Sequence, residues 1–570
     1  MFEVFTLITI AAALLLITNA LFYGCYVYPR TTLLVVAGYL LLGVWLVTGP
    51  VVYLTPLAVS TAVLLLGVWF VSAALGLRPH ISYHHVLKLG FALFVGFMLA
   101  AGVRLQDLFG VFVAAATASA AVAVLHNRFH IVIFSKIRYR KKFEPSGLIG
   151  NPNSHASFLL PNLFLAFYLG CSHWAWFLPV PLLGWALWLT RCRAAMIGAY
   201  VGAACFAFLA LPVSYAALLF VLQVIALPFA WRYKNALNQN NQTFRERINF
   251  WRVGWEQIKA TPVLGVGFDC FKVRVPYLQR DINERTNGEF LKEENYKDPW
   301  PQNAHSNVVQ GVLDNGLVGF GILAAITIVA FIGTMQAGSV SGSLLTCSVT
   351  GSLLTSALAA IIVNGLFFNS FHILPTNLTF WAIAGSGLRG ESAVLELGSW
   401  PVMAAAGIGY LVLGVMIYRY VIKKLIWAYG AEQYMKSKHT DEKELMRVLK
   451  ADPRSTFSNI SAATFCWRRY EIARAYTHVI KAIEHYDGEM FLWLLYTNLG
   501  NSYYQSGAIN LALGAFEESL RFFPRWEPGR AGAAQARQRL EQINAALRAN
   551  EETLKTAAGQ PAAAKGADNG

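Results

Sequence analysis

Apolar residues in this chain come in blocks of about twenty, the length a helix needs to cross the hydrocarbon core of a bilayer. The blocks fall near 3–24, 31–48, 51–77, 85–103, 107–126, 155–171, 174–190, 194–211, 213–231, 307–332, 343–367, 374–388 and 399–420. They predict an all-α polytopic membrane protein of about 12–13 transmembrane helices. Composition supports this, with 56% hydrophobic residues, 14% charged residues and a mean hydropathy of +0.46. Met1 to Ala20 is apolar but has neither a basic leading region nor a small-residue cleavage site, so it reads as a retained first helix.

The formal net charge of +15 is informative through where it falls. Basic residues lie between the apolar blocks, not along a groove with interleaved aromatics. That excludes nucleic acid as the expected partner and points to lipid headgroups or a phosphorylated substrate at the membrane surface. Seven cysteines (Cys25, Cys171, Cys192, Cys205, Cys270, Cys347, Cys466) are scattered singly, with neither a disulfide framework nor zinc-ligand spacing. Asp269 and Asp314 stand isolated, and no carboxylate cluster around them argues for a metal site or a cofactor.

Four regions follow. Residues 1–126 carry N-terminal spans, and 127–420 form a second membrane region. The latter has two polar connections, about 127–154 with "KIRYRKKFE" and about 232–306, the longer of which is expected to hold short helices of its own. Residues 421–548 read as soluble helix. Leu499, Gly500, Tyr503, Ala512, Phe516 and Pro524 follow a spacing that resembles a tetratricopeptide repeat, in which small residues let two antiparallel helices approach while aromatics fill the gap. A plain helical hairpin is the simpler reading of the same pattern. The tail 549–570 is small, polar and expected to be disordered.

Four stretches carry the chemistry. In "NAHSNVVQGVLDNGLVG", His305 and Ser306 precede nine residues and then Gly316 and Gly319. Ser306 and Asn307 can cap the helix that follows, presenting free N–H groups and the positive dipole end to an anion. In "RINFWRVGWEQIKATPVLGVGFDCF", Arg247 precedes Trp251 by four, followed by Pro262, Gly265, Gly267 and Phe271. "LTRCRAAMIGAY" contains Arg191 and Arg193, and "GLIGNPNSHASF" places Asn153 at a helix start. Taken singly, the arginines read as boundary residues whose heads snorkel to the interface, and a lone histidine reads as an interfacial hydrogen-bonder. Together and in this order, residues 147–319 resemble the bacterial O-antigen ligase superfamily, which includes the O-linked oligosaccharyltransferases. Cys192 stands where that family usually has serine.

The resemblance implies a GT-C-like membrane glycosyltransferase that moves a glycan en bloc from undecaprenyl pyrophosphate to an acceptor hydroxyl, without metal, at the extracytoplasmic face of the bacterial inner membrane. Arg193 and Arg247 would hold the pyrophosphate, since arginine's planar fork satisfies phosphate oxygens and stays charged. His305 would activate or orient the acceptor hydroxyl. Arg191, Asn153, Trp251, Ser306 and Arg140 are candidate substrate contacts. The acceptor is lipid A-core or protein, and a repeat domain could recruit a protein partner. "NSFHILPTNLTFW" stands where the protein-modifying branch often has a Glu-Tyr-Pro segment. A polymerase, a transporter of lipid-linked saccharide and a membrane-anchored scaffold are the alternatives. Charge counting alone would put the basic side in the cytoplasm, whereas the resemblance puts it outside, where an anionic donor gives those residues a use.

Overall fold

The structure, a computed structural model, describes residues 51–54, 56–102, 105–131, 144–218, 220–221, 242–292, 301–336, 349–396, 400–437, 441–488 and 490–558, with a few positions between 35 and 43. The expected spans 3–24 and 31–48, part of 213–231, Arg140 with its basic run, and the tail beyond 558 lie outside these residues. The chain divides into two units, one of residues 1–275 and 294–429, the other of 276–293 and 430–570.

The first unit is a helical membrane body. Its helices are α1 (Pro56–Leu75), α2 (Pro79–Gly102), α3 (Leu105–Arg128), α4 (Pro152–Gly170), α5 (Pro179–Thr190), α6 (Arg193–Ala210) and α7 (Gln242–Ala260). After α8 (Phe271–Arg285), which begins here, follow α9 (Asn307–Gln336), α10 (Val349–Phe367), α11 (Leu374–Gly387) and α12 (Trp400–Ile417). Five of them (α1, α3, α6, α9 and α10) are long and apolar enough to cross a membrane by length and composition. The chain is an all-α polytopic membrane protein, and two short strands do not alter that class: β1 (Val51–Leu54) pairs antiparallel with β2 (Arg389–Glu396), Val51 opposite Glu396.

Local chemistry sets the helix starts. Asn151 caps α4 by accepting from the Asn153 and Ser154 N–H groups, and Pro152 occupies the first helical position, where its missing N–H costs nothing. The helix start is therefore Asn151–Pro152, and Asn153 lies within the first turn. In α6, a Cβ on Gly198 would stand 2.6 Å from the Ala360 carbonyl of α10, and one on Gly202 would stand 2.9 Å from Ser356 O. Small residues let these two backbones meet, which is how packing is gained between helices that lipid alone would not drive together.

The elements alternate direction. β1 and β2 mark one end, just before α1 and just after α11. At the other end, the α1–α2 turn joins the 261–270 segment, through Leu77 N–H donating to Val266 O at 2.9 Å. Arg193 at the start of α6, Arg247 in α7, and the start of α9 all share this second end.

The second unit is a stack of antiparallel helices: α14 (Glu442–Ala451), α15 (Thr456–Arg468), α16 (Ile472–Glu484), α17 (Leu492–Gln505), α18 (Ile509–Phe522) and α19 (Glu527–Ala558), entered through α13 (Lys423–Lys436). α15 pairs with α16, and α17 with α18 and α19. A Cβ on Gly500 would lie 2.7 Å from the Phe516 ring, so the small residue read from the sequence does admit the neighbouring helix. Phe516, Ile509, Ala512, Ala533 and Ala536 form the buried centre of this pair and its cap. Residues 276–293, from the connection between α7 and α9, fold with this stack.

Candidate active site

His305 lies at the turn into α9, in the left-handed region at φ 51°. A non-glycine residue there is strained, and such strain persists only where the surroundings over-determine it. Those surroundings are visible. Its own N–H donates to Asn303 Oδ1 at 2.9 Å. The preceding residue is held from both sides: Trp251 Nε1–H donates to Ala304 O at 2.9 Å, and Ala304 N–H donates to Gln310 Oε1 at 2.9 Å. Gln310 in turn donates to Asp314 Oδ1 at 2.8 Å, one helical turn further on. Ser306 is buried and caps α9, its hydroxyl accepting from Val309 N–H at 3.4 Å. Asn307 ties the same turn to the segment after α10, donating to Ser370 Oγ at 2.8 Å and accepting from Phe371 N–H at 3.1 Å.

The imidazole stacks on Phe250, with centroids 5.7 Å apart and planes 23° apart. Burial, and secondarily the positive charge of Arg247, push its pKa down to about 4. His305 is therefore neutral at physiological pH, with a ring nitrogen able to accept a proton. Arg247 is itself half-buried, and it donates through Nη1 to the Phe367 carbonyl at 2.9 Å. Burial works against its charge, and the like charge of Arg193 adds to that effect. Arg247 thus lies within electrostatic reach of both Arg193 and His305, residues drawn from three separate motifs. Two guanidinium groups near each other beside a neutral imidazole suit an anion with two negative groups.

The remaining candidates are placed as follows. Arg191 closes α5 in the left-handed region (φ 53°), its N–H donating to Trp188 O, and its side chain is exposed. Cys192 is buried at the turn into α6. Asn153 is half-buried, its carbonyl accepting from Ser157. Trp251 positions the His305 turn through its indole N–H.

Pro262, Gly265, Gly267, Gly316 and Gly319 turn out to belong to one backbone joint. α9 is broken at Gly316 (φ 68°, ψ −174°). There the 262–267 segment supplies what the helix has lost: Val266 N–H donates to Leu313 O at 2.8 Å and Gly267 N–H to Asp314 O at 3.2 Å, while Leu317 and Val318 N–H donate to Pro262 O (2.8 Å) and Val263 O (3.3 Å). The Ser72 hydroxyl of α1 lies 2.7 Å from Asp314 O and 2.8 Å from Leu264 O. Asp314 is buried beneath the His305 turn and joined to it through Gln310.

Asp269, isolated in the sequence, is not isolated in space. Its Oδ2 lies 3.0 Å from His85 Nε2 and 2.9 Å from Lys272 Nζ. Burial works to raise its pKa, but His85 and Lys272 outweigh that and hold the carboxyl well below its usual range. His372 adds a third possible ligand atom, all three lying within 4.8 Å of one another. Lys272 already occupies the carboxylate, so a cation entering this group would have to displace an ammonium. The cluster's own partners account for it as an ion network bracing α2 against the 269–272 turn. His372 also lines a cavity of about 40 Å³ together with Asn307, Gln310, Asp314, Asn369 and Asn377.

Residues 178–324 match the family model described as O-antigen ligase. This part of the chain is similar to the O-antigen ligase family. The match takes in Arg191, Arg193, Arg247, Trp251, His305 and the Gly316–Gly319 break, and leaves out the Asn153 stretch and the C-terminal stack. No curated protein matches the chain. Around His305 and Arg247, sequence reasoning missed Gln310, Phe250 and the Phe367 carbonyl. The first had a signal in "QGVLD": Gln310 and Asp314, four apart, are costly in an apolar helix unless paired. Replacing Gln310 by leucine takes a hydrogen-bond partner from both Ala304 N–H and Asp314. A misplaced His305 is then expected to cost about 10²-fold in kcat, with the KM for donor little changed, as steady-state kinetics would measure.

Proposed function

We propose that this protein transfers an oligo- or polysaccharide from undecaprenyl pyrophosphate to an acceptor hydroxyl at the extracytoplasmic face of the bacterial inner membrane, without a metal ion. What supports the reading is that Arg247 lies within electrostatic reach of both Arg193 and the neutral His305, three residues from three motifs. The pyrophosphate would neutralise the two arginines, whose charges gain strength where water is scarce. The acceptor hydroxyl would give its proton to the His305 imidazole as its oxygen attacks the anomeric carbon. The bond from that carbon to the pyrophosphate oxygen breaks, and the lipid pyrophosphate leaves with its charge held by the guanidinium groups. Asn153, Arg191, Ser306 and Arg140 are proposed to contact the donor or acceptor, and Trp251 to act through the His305 turn.

pH sharpens this. In free enzyme the base is protonated only as pH falls through about 4, so kcat/KM is expected to hold down to about pH 5 and to fall below that, instead of failing near 6.5. Two negative groups of bound donor favour imidazolium, so the acid limb of kcat should lie higher than that of kcat/KM. In Arg247→Ala the limb of kcat/KM should also move up, because one lowering charge is gone. A wild-type limb near 6.5 in kcat/KM would contradict the half-buried, neutral base.

The test of the reaction is an assay of full-length protein in nanodiscs with undecaprenyl-pyrophosphate-linked oligosaccharide and, separately, a lipid A-core and a pilin-like acceptor. Glycan on one acceptor identifies the branch. Lengthened lipid-linked chains would make it a polymerase. Bound donor with no covalent product from any acceptor would overturn transfer.

A further inference from the structure

The C-terminal stack contains a piece of chain from far away in sequence. Residues 276–293 bring Tyr277 against Phe522, ring to ring in a T-shaped contact with centroids 5.5 Å apart. Phe522 is 2% exposed and also stacks on Tyr496 at 5.5 Å. Arg280 lies over the Phe522 ring at 5.1 Å and donates to Glu518 at 2.9 Å. Glu518 also accepts from Arg521 at 2.6 Å, and Arg521 reaches back to Glu284 at 2.8 Å. The charges therefore alternate Arg280, Glu518, Arg521, Glu284, two from each piece of chain. Arg525 adds a bond to the Leu291 carbonyl at 3.3 Å.

The segment is shaped to be held. It reverses at Asn287 and Gly288, both left-handed (φ 51° and 84°), and Asn283 Oδ1 accepts from Leu291 N–H at 2.9 Å. Phe290 and Leu291 are buried. Lone surface ion pairs contribute little, but a shared network around a desolvated aromatic is more than a set of lone pairs. Helical stacks commonly present such a surface to a partner.

We propose that the partner of this stack is the chain's own segment 276–293, and that the stack works as a clamp on the connection that ends at His305. The clamp divides the long connection between α7 and α9 into two shorter ones, and the entropy lost in ordering a loop grows with its length. The clamp itself rests on the contacts above, and its effect on transfer rests on the reading of His305 as the base.

Hydrogen exchange on full-length protein in nanodiscs tests it, with Arg280→Glu, Glu518→Arg and the pair together, and with transfer kinetics measured on the same samples. Each single change sets like charges face to face. Exchange in 276–291 is expected to rise on the order of tenfold while 456–485 stays protected, and the double variant should recover most of the protection. kcat should fall several-fold in the single variants, with the donor KM within about twofold of wild type, and should recover in the pair. Unchanged exchange in 276–291 for both single variants overturns the clamp, whether or not transfer has been established. Raised exchange with unchanged kcat overturns its role in holding the His305 turn.

Discussion

With His305 replaced by alanine, transfer is expected to fall by about 10²–10⁴-fold, the range a positioned general base contributes. The loss should lie in kcat. Donor affinity should survive, because Arg193 and Arg247 remain, and Arg247 is anchored by the Phe367 carbonyl independently of the imidazole. Removing the ring also removes its stack on Phe250, so thermal stability must be measured beside the rate. His305→Asn is the better control for backbone strain, since asparagine tolerates the left-handed conformation found at φ 51°. Both variants should bind fluorescent lipid pyrophosphate as wild type does and fail in single turnover. A rate within about tenfold of wild type in both would mean the hydroxyl is activated elsewhere, leaving the arginines as the working part of the site.

Gly316→Ala should be the most damaging of the structural changes. A Cβ there would stand 2.0 Å from Val263 O, on a residue at φ 68°. No side-chain rotation relieves a clash with backbone, so the joint between α9 and 262–267 must open. Four backbone hydrogen bonds cross that joint. Their loss at a boundary poor in water is expected to cost about 4 kcal/mol or more. The thermal midpoint should drop by at least about 5 °C, with poor yield in membranes. Gly321→Ala on the same helix is the control, since nothing lies within 4 Å of its added Cβ. Equal behaviour of the two variants would show that the break at Gly316 is tolerated without its partner segment.

The membrane body was legible because a bilayer imposes a run length, and runs survive in a single sequence. Boundaries were less so. α2 starts at Pro79 rather than near 85, since polar "HISYHH" is helical when its histidines and Lys88 find partners such as Asp269 and the His372 carbonyl. The last helix runs to Ala558, past the expected 548, on a continuous stretch of good helix formers. Arg193, Arg247 and His305 were singled out through their motifs, and in the structure Arg247 lies within electrostatic reach of both of the others. What the motif glycines are for was not legible, because Gly265 and Gly316 face each other across about fifty residues of chain. The same holds for Arg280 and Glu518, whose pairing leaves no local pattern.

The break in α9 also bears on how the protein is made. A regular helix carries its own hydrogen bonds into lipid, whereas α9 arrives with Leu313, Asp314, Leu317 and Val318 short of partners. Orphaned peptide groups are costly in hydrocarbon. α9 is thus a poor candidate for leaving the insertion machinery as a free-standing span. Its missing partners, Ser72 and residues 262–267, precede it in the chain and have already been synthesised when it emerges. Ribosomal order and structural need run the same way, so insertion of this helix becomes a docking step onto earlier segments.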